Sequence, residues 1–203
     1  VLFRSLPGVR LLSDVLNLGK TMDYKPVSEI YIDVDSSALV LFTSGSTGLP
    51  KAVQYTHHKF LNASKVVADR LEISDNSILF NDRPMAYGVG VCFGTLFAYR
   101  GVTIVTLPSD INITHQDTYA EMLIDVLHKE KVTYALLVQY QLYGIARYPT
   151  IVKDKLQMLQ YIVTGGQLAP QELLANVSEI LPKSSILQTY GATEGPVDRK
   201  SVV

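Results

Sequence analysis

Hydrophobic and polar positions along the chain fall into short apolar runs alternating with stretches of helical period. Residues 38–42, Ala-Leu-Val-Leu-Phe, are apolar without interruption, so 37–43 is expected to be a strand covered on both faces. Residues 44–50 are a loop by composition, and 52–55 is a candidate short strand. Thr56 is placed to cap a helix reaching to about Leu71, with Phe60, Ala63, Val67 and Leu71 on one face. Further strands are expected at 77–80 and 102–107, separated by a glycine-studded segment, 85–99. Asp117 or Thr118 opens the clearest amphipathic helix, with Met122, Leu123, Val126 and Leu127 on one side. A strand over 134–138, a short helix over 141–147 and a strand over 159–164 follow. Pro170 then begins a helix to about Leu181, at the position where proline is favoured. The last strand, 185–188, runs straight into Tyr190 and the residues after it, whereas 6–35 reads only as a polar, turn-rich lead.

Apolar strands alternating with helices imply an α/β fold, a mostly parallel sheet with helices on both faces. Ligands of such sheets bind beyond the carboxyl ends of the strands. Three segments are expected there: the loop from Ser44, the pair Gly165-Gly166, and the stretch from Tyr190 to Glu194.

Composition narrows the classes. Of the 203 residues 47% are hydrophobic and 18% charged, an ordinary globular balance. The net charge is −1 with scattered basic residues, so no footprint for nucleic acid or an anionic membrane is present and neither is expected as a partner. The single cysteine, Cys92, rules out a disulfide within the chain and leaves no zinc-ligand spacing. A reduced intracellular compartment fits, cytoplasmic in the first instance, with a peroxisomal or mitochondrial parent also open. A membrane span is not expected, because a span needs about 20 apolar residues and the longest candidate, 86–107, is broken by Gly88, Gly90, Gly94, Arg100 and Gly101.

The most particular string is Thr43-Ser44-Gly45-Ser46-Thr47-Gly48-Leu49-Pro50-Lys51. Glycines let backbone N–H groups approach a phosphate, hydroxyls add donors, and Lys51 adds a point charge suited to phosphate oxygens. A Walker-type loop needs Gly-Lys-Ser/Thr opening a helix, whereas Pro50 precedes Lys51 here and Ala52 follows it. A second string, Gln188-Thr189-Tyr190-Gly191-Ala192-Thr193-Glu194, offers a flat ring in Tyr190 and a hydroxyl in Thr193. Its carboxylate, Glu194, makes sense beside a polyphosphate as a ligand for Mg²⁺.

The first string resembles the signature loop of the adenylate-forming superfamily, which includes acyl-CoA synthetases, coumarate-CoA ligases, luciferase and peptide-synthetase adenylation domains. Thr43 through Lys51, Val53, Thr56 and His57 follow that pattern, and Ala52 replaces its frequent glycine. The second string stands about 140 residues after the loop, a separation that resembles the family's. The resemblance implies ATP and Mg²⁺ as cofactors, a small-molecule carboxylic acid as substrate, and coenzyme A as the acceptor in the parent enzyme. A carrier-protein-loading adenylation domain and a non-catalytic nucleotide-binding relative are the alternatives.

By resemblance, Thr43, Ser44, Gly45, Ser46, Thr47, Gly48 and Lys51 close over the β- and γ-phosphates. Gly165, Gly166 and Gln167 would lie against adenine, with Tyr190 on its other face beside Gly191 and Ala192. Thr193 would reach the α-phosphate and Glu194 would hold Mg²⁺, so Lys51, Thr193 and Glu194 are the expected catalytic residues. Tyr87 and Gly88, within Arg83-Pro84-Met85-Ala86-Tyr87-Gly88-Val89-Gly90, match the segment beside the acyl group, with Tyr140 and Tyr143 as further candidate walls. Amino-acid-activating relatives carry an aspartate in that segment. None stands between Met85 and Leu96, which favours an aryl or fatty acid.

The resemblance makes the chain part of a large N-terminal AMP-binding domain, spanning 6–197. The expectation for the ends is that residues 1–5 and 198–203, which resemble translated adapter oligonucleotides, are non-native. On that reading the C-terminal domain and the ribose-binding aspartate are absent, and the isolated chain is expected to show no ATP–pyrophosphate exchange.

Overall fold

A computed structural model describes residues 12–23, 31–43, 49–95, 99–107, 116–193 and 198–201. The chain divides into two compact units, residues 1–33 and 34–203. In the first, helix α1 (Leu12–Gly19) occupies part of the stretch expected to be turn-rich. Its Leu12, Val15 and Leu16 recur at helical spacing, Asp14 complements the positive end of the dipole, and none of its side chains is buried.

The second unit begins with strands β1 (Ser37–Thr43) and β2 (Lys51–Thr56), which pair antiparallel with Thr43 opposite Lys51 and Leu41 opposite Val53. This corrects one expectation. The loop from Ser44 does not follow a strand of the parallel sheet but joins the two strands of a separate hairpin. The physical reason is length, since a parallel crossover needs about a dozen residues or more and 44–50 supplies fewer. Thr56 caps helix α2 (His57–Arg70) as expected, its Oγ1 accepting from the Lys59 N–H at 3.1 Å.

Next come β3 (Ile78–Asn81), α3 (Gly88–Gly94), β4 (Thr103–Val105), α4 (Gln116–Lys129), β5 (Tyr134–Leu136), α5 (Gln139–Arg147) and α6 (Pro149–Lys155). They are followed by β6 (Tyr161–Gly165), α7 (Gln171–Ile180), β7 (Ser185–Tyr190) and β8 (Asp198–Ser201). The sheet order is β4-β3-β5-β6-β7-β8, parallel through β7, with β8 antiparallel on β7. Helix α3 forms in the glycine-studded segment against weak local propensity, because Phe93 is buried under the sheet and Asn81 Nδ2 donates to the Gly90 carbonyl at 3.0 Å. Pro170, with ψ 139°, caps α7 rather than starting it, one residue earlier than its expected role.

Strand alternation sorts the core into two layers. Phe80, Ala135, Ile162 and Ile186 face α4 to α7, meeting Leu123, Leu127, Leu142, Ile145, Leu173 and Val177. Leu79, Tyr134, Leu136, Val163 and Leu187 face the other way, toward Ala68 and Leu71 at α2 and Phe93 of α3. Tyr134 and Tyr161, neighbours across β5 and β6, stack at 5.0 Å. Among the described residues no helix is long and apolar enough to cross a membrane.

The chain runs from β3 out to β4, then back across β3 to β5, so its direction reverses between β3 and β5. A polar knot fills that point. Arg83 Nε donates to Asp82 at 2.8 Å, and Gln141 Nε2 donates to Asp82 at 2.8 Å and to the Tyr119 hydroxyl at 2.7 Å. The Tyr119 hydroxyl in turn donates to Asp82, and Gln141 Oε1 accepts the Val138 N–H at 2.8 Å. Gln141 is buried at 1% exposure, so each of these partners matters. Replacing it in Gln141→Leu leaves Asp82, Tyr119 and the Val138 N–H short of partners. We expect a loss of about 2–4 kcal/mol in urea unfolding, and a loss below about 0.5 kcal/mol would contradict the knot.

Candidate nucleotide site

The β1–β2 hairpin approaches two segments that follow strands of the parallel sheet, through residues two ladder positions apart. A Cβ built on Gly88, at the start of α3, would lie 3.4 Å from Leu41 Cδ1 of β1. The Tyr55 hydroxyl of β2 donates to the Thr193 carbonyl beyond β7. The hairpin therefore joins the segment after β3 to the segment after β7. Lys51 opens β2 with its side chain exposed, and Thr43 ends β1 opposite it. Ser44, Gly45, Ser46, Thr47 and Gly48 of the expected phosphate loop, and Glu194, lie outside the described residues.

Between β6 and β7 the backbones approach closely. Gly165 pairs with Thr189, and a Cβ on it would fall 2.4 Å from Thr189 Oγ1 and 2.8 Å from the Thr189 carbonyl oxygen. Thr189 Oγ1 also donates to the Thr164 carbonyl at 3.1 Å, which fixes the side chain that makes glycine necessary. Gly166 follows in the left-handed region, at φ +79°, with nothing near the place a Cβ would take. Gln167 is exposed beyond it. On the adjacent strand the Tyr190 ring is 80% exposed, Gly191 and Ala192 are exposed, and Thr193 is half-buried. The result is a shelf of bare backbone beside a bare aromatic ring, a surface whose shape suits a flat heterocycle.

Beyond β3, Tyr87 stands at the N-cap of α3 with its ring 65% exposed, and Gly88 is half-buried behind it. Burial works against the charge on Arg83, but the adjoining Asp82 carboxylate offsets it and holds the guanidinium above its ordinary value. Burial, with the Tyr140 hydroxyl beside it, pushes the Tyr119 hydroxyl far above the usual phenol range, so it remains a donor to Asp82. Tyr140 packs on Tyr119 at 5.7 Å between ring centres, while Tyr143 is exposed. Among the described residues no cluster of three His, Cys, Asp or Glu gathers as a metal site. A lone carboxylate acting with phosphate oxygens still suits Mg²⁺, which keeps several waters.

Sequence reasoning singled out neither Tyr55 nor Asp82, Tyr119 and Gln141. Adjacent opposite charges, Asp82-Arg83, directly after an apolar strand were the available signal for the knot. Nothing local marked Tyr55, whose partner lies 138 residues away.

An open parallel sheet with a glycine shelf and a free aromatic ring at its carboxyl edge has the architecture of a nucleotide-binding α/β domain. The chain belongs to the AMP-binding enzyme family, which it matches over residues 9–198. It is 27% identical over 169 residues to 4-coumarate–CoA ligase 3 of Arabidopsis thaliana, covering 80% of this chain and 29% of that protein. It is 23% identical over 199 residues to the human mitochondrial medium-chain acyl-CoA ligase ACSF2, covering 93% of this chain and 31% of that one. A plipastatin synthase of Bacillus subtilis is 24% identical over 165 residues, 80% of this chain and 4% of that protein. The chain thus spans about a third or less of these relatives.

In fold it is similar to the N-terminal domain of FACL13 from Mycobacterium tuberculosis, with TM-score 0.73, 22% identity, and coverage of 90% of this chain and 43% of that one. It is also similar to McyG A-PCP complexed with phenylalanyl-adenylate, with TM-score 0.71, 22% identity, and coverage of 88% and 29%. The fold is therefore that of the N-terminal domain of adenylate-forming enzymes.

The close approach of β6 and β7 yields a direct test. A Gly165→Ala methyl group meets the Thr189 backbone, which has no flexible end to move aside. We expect about 1–3 kcal/mol lost in thermal or urea unfolding. Unchanged stability would show that the two strand ends are not this close.

Proposed function

We propose that the chain is the nucleotide-binding core of an ATP-dependent ligase that activates a carboxylic acid as its acyl-adenylate. The acyl group then passes to a thiol, that of coenzyme A. The observation that supports this reading is the hydrogen bond from Tyr55, in the strand that begins with Lys51, to the Thr193 carbonyl beyond β7. In this reading Lys51 and the loop from Ser44 to Gly48 bind the β- and γ-phosphates. Adenine lies on Gly165 and Gly166 under Tyr190, and the Thr193 hydroxyl donates to the α-phosphate. Glu194 would hold Mg²⁺, which supplies neutralisation of phosphate charge. The acid's carboxylate, oriented near Tyr87 and Gly88, attacks the α-phosphorus in line as the bond to pyrophosphate breaks. The chain's contribution is orientation and charge, with no proton to move.

The acid is read as lacking an α-ammonium group. The carboxylate nearest in sequence to Tyr87 is Asp82, and its oxygens already accept from Arg83, Tyr119 and Gln141. Residues 83–95 contain no other acid. A buried ammonium needs such a partner. The relatives support both acceptors, since coumarate–CoA and acyl-CoA ligases stand beside a plipastatin synthase. The exposure of Tyr87 and the engagement of Asp82 favour the acid–CoA ligases.

Two calorimetric experiments on the whole chain test the proposal. ATP with Mg²⁺ is expected to bind saturably, and Lys51→Ala is expected to weaken it at least about 5-fold without altering the melting temperature. No nucleotide binding, or equal affinity in Lys51→Ala, would overturn the site. Repeating the ATP titration with aryl and fatty carboxylates present is expected to tighten binding. Tightening by α-amino acids alone would reverse the substrate reading.

A further inference from the structure

We infer that Tyr55 is a positioning residue: it latches the segment after β7 to the hairpin that carries Lys51, so that the two grips on a nucleotide move as one. The inference deepens the ATP-site reading above and rests on it for its functional half.

The latch is the hydrogen bond from the Tyr55 hydroxyl to the Thr193 carbonyl. That carbonyl is part of a planar peptide, so the bond restrains the backbone of Thr193 and not only one atom of it. The donor is itself held. The Phe60 ring meets Tyr55 edge-on at 6.4 Å and 85°, and the Lys59 ammonium lies over the Tyr55 ring at 4.6 Å from its centre. Both side chains come from the first turn of α2, whose start is fixed by the Thr56 cap. Little rotational freedom is left for the hydroxyl to lose when it bonds.

Tyr55 and Lys51 are four residues apart in one strand, at a separation of about 13 Å for extended backbone. Pairing with β1 from Thr43 opposite Lys51 to Leu39 opposite Tyr55 makes that distance stiff. A shift of the hairpin that moves Lys51 therefore either carries Thr193 with it or breaks the bond. A triphosphate gripped at its far end by Lys51 and at its α-phosphate by Thr193 spans two chain segments that have no covalent reason to keep register. Tyr55 supplies that register before the nucleotide arrives.

The variant Tyr55→Phe removes the hydroxyl and leaves the ring contacts to Phe60 and Lys59. We expect amide hydrogen exchange over residues 190–193 to accelerate about 5- to 10-fold, with exchange in β1, β2 and α2 unchanged and the melting temperature little altered. We also expect ATP·Mg²⁺ affinity to fall about 5-fold with a steeper Mg²⁺ requirement, a readout that a purely structural tyrosine would not move. Unaltered exchange at 190–193 would overturn the latch. Faster exchange with wild-type ATP affinity and Mg²⁺ dependence would overturn the coupling to the nucleotide. Absence of ATP binding in the wild-type chain would overturn the site reading instead, and the exchange result would still decide whether Tyr55 holds the segment.

Discussion

Parallel pairing is the constraint from which the rest of this structure follows. Five parallel strands place all their carboxyl ends along one edge, and the chain can return only through crossovers on the faces of the sheet. The path first steps outward from β3 to β4 and then reverses, so right-handed crossovers set α3 on one face and α4 to α7 on the other. Helices on both faces are why β5 and β6 are apolar at nearly every position rather than at alternate ones. The reversal opens a gap between β3 and β5 at the carboxyl edge, and the chain closes it with polar groups. A largely buried Asp82 is costly alone, yet with Arg83, Tyr119 and Gln141 all donating to it the gap becomes a rigid corner.

The hairpin solves a different problem. Strand ends in an open sheet are held laterally by their ladders, but the segments beyond them are not. β1 and β2 form their own two-stranded sheet, which approaches Gly88 through Leu41 and Thr193 through Tyr55. A two-stranded hairpin is marginal by itself, so these contacts hold the hairpin as much as the hairpin holds the loops. Leu41, the one buried side chain of β1, is also the one in contact distance of the α3 start.

Much of this is legible in the chain. The apolar runs of β3, β5, β6 and β7, the Thr56 cap, and the glycines at 165 and 166 are local properties, and local patterns announce them. The pairing of β1 with β2 is not legible, because an apolar run specifies a strand but not its neighbour. Helix α3 is hidden as well: its glycines and β-branched residues argue against a helix, and only burial of Phe93 with the Asn81 hydrogen bond decides otherwise. The bonds that assemble the edge join residues 59 and 138 positions apart, from Gln141 to Asp82 and from Tyr55 to Thr193. No window along the sequence contains both partners. The motif strings supply the expected chemistry of each loop, but not what holds the loops to one another.

That division has an energetic meaning. A site divided among three separate segments binds a polyphosphate only after ordering each of them, and each ordering subtracts from affinity. A scaffold that fixes the segments in advance converts the same contacts into tighter and more specific binding. Here the order is supplied at two levels: the β6–β7 ladder fixes the shelf at Gly165 against Thr189, and the hairpin ties the outlying Thr193 to the strand that begins with Lys51. The corner at Asp82 does the same for the segment that leads to Tyr87. It does so by consuming a carboxylate that would otherwise face that segment as a bare negative charge. The residues that stabilise this edge thus also set its polarity, so a change to the Asp82 corner alters packing and local charge together.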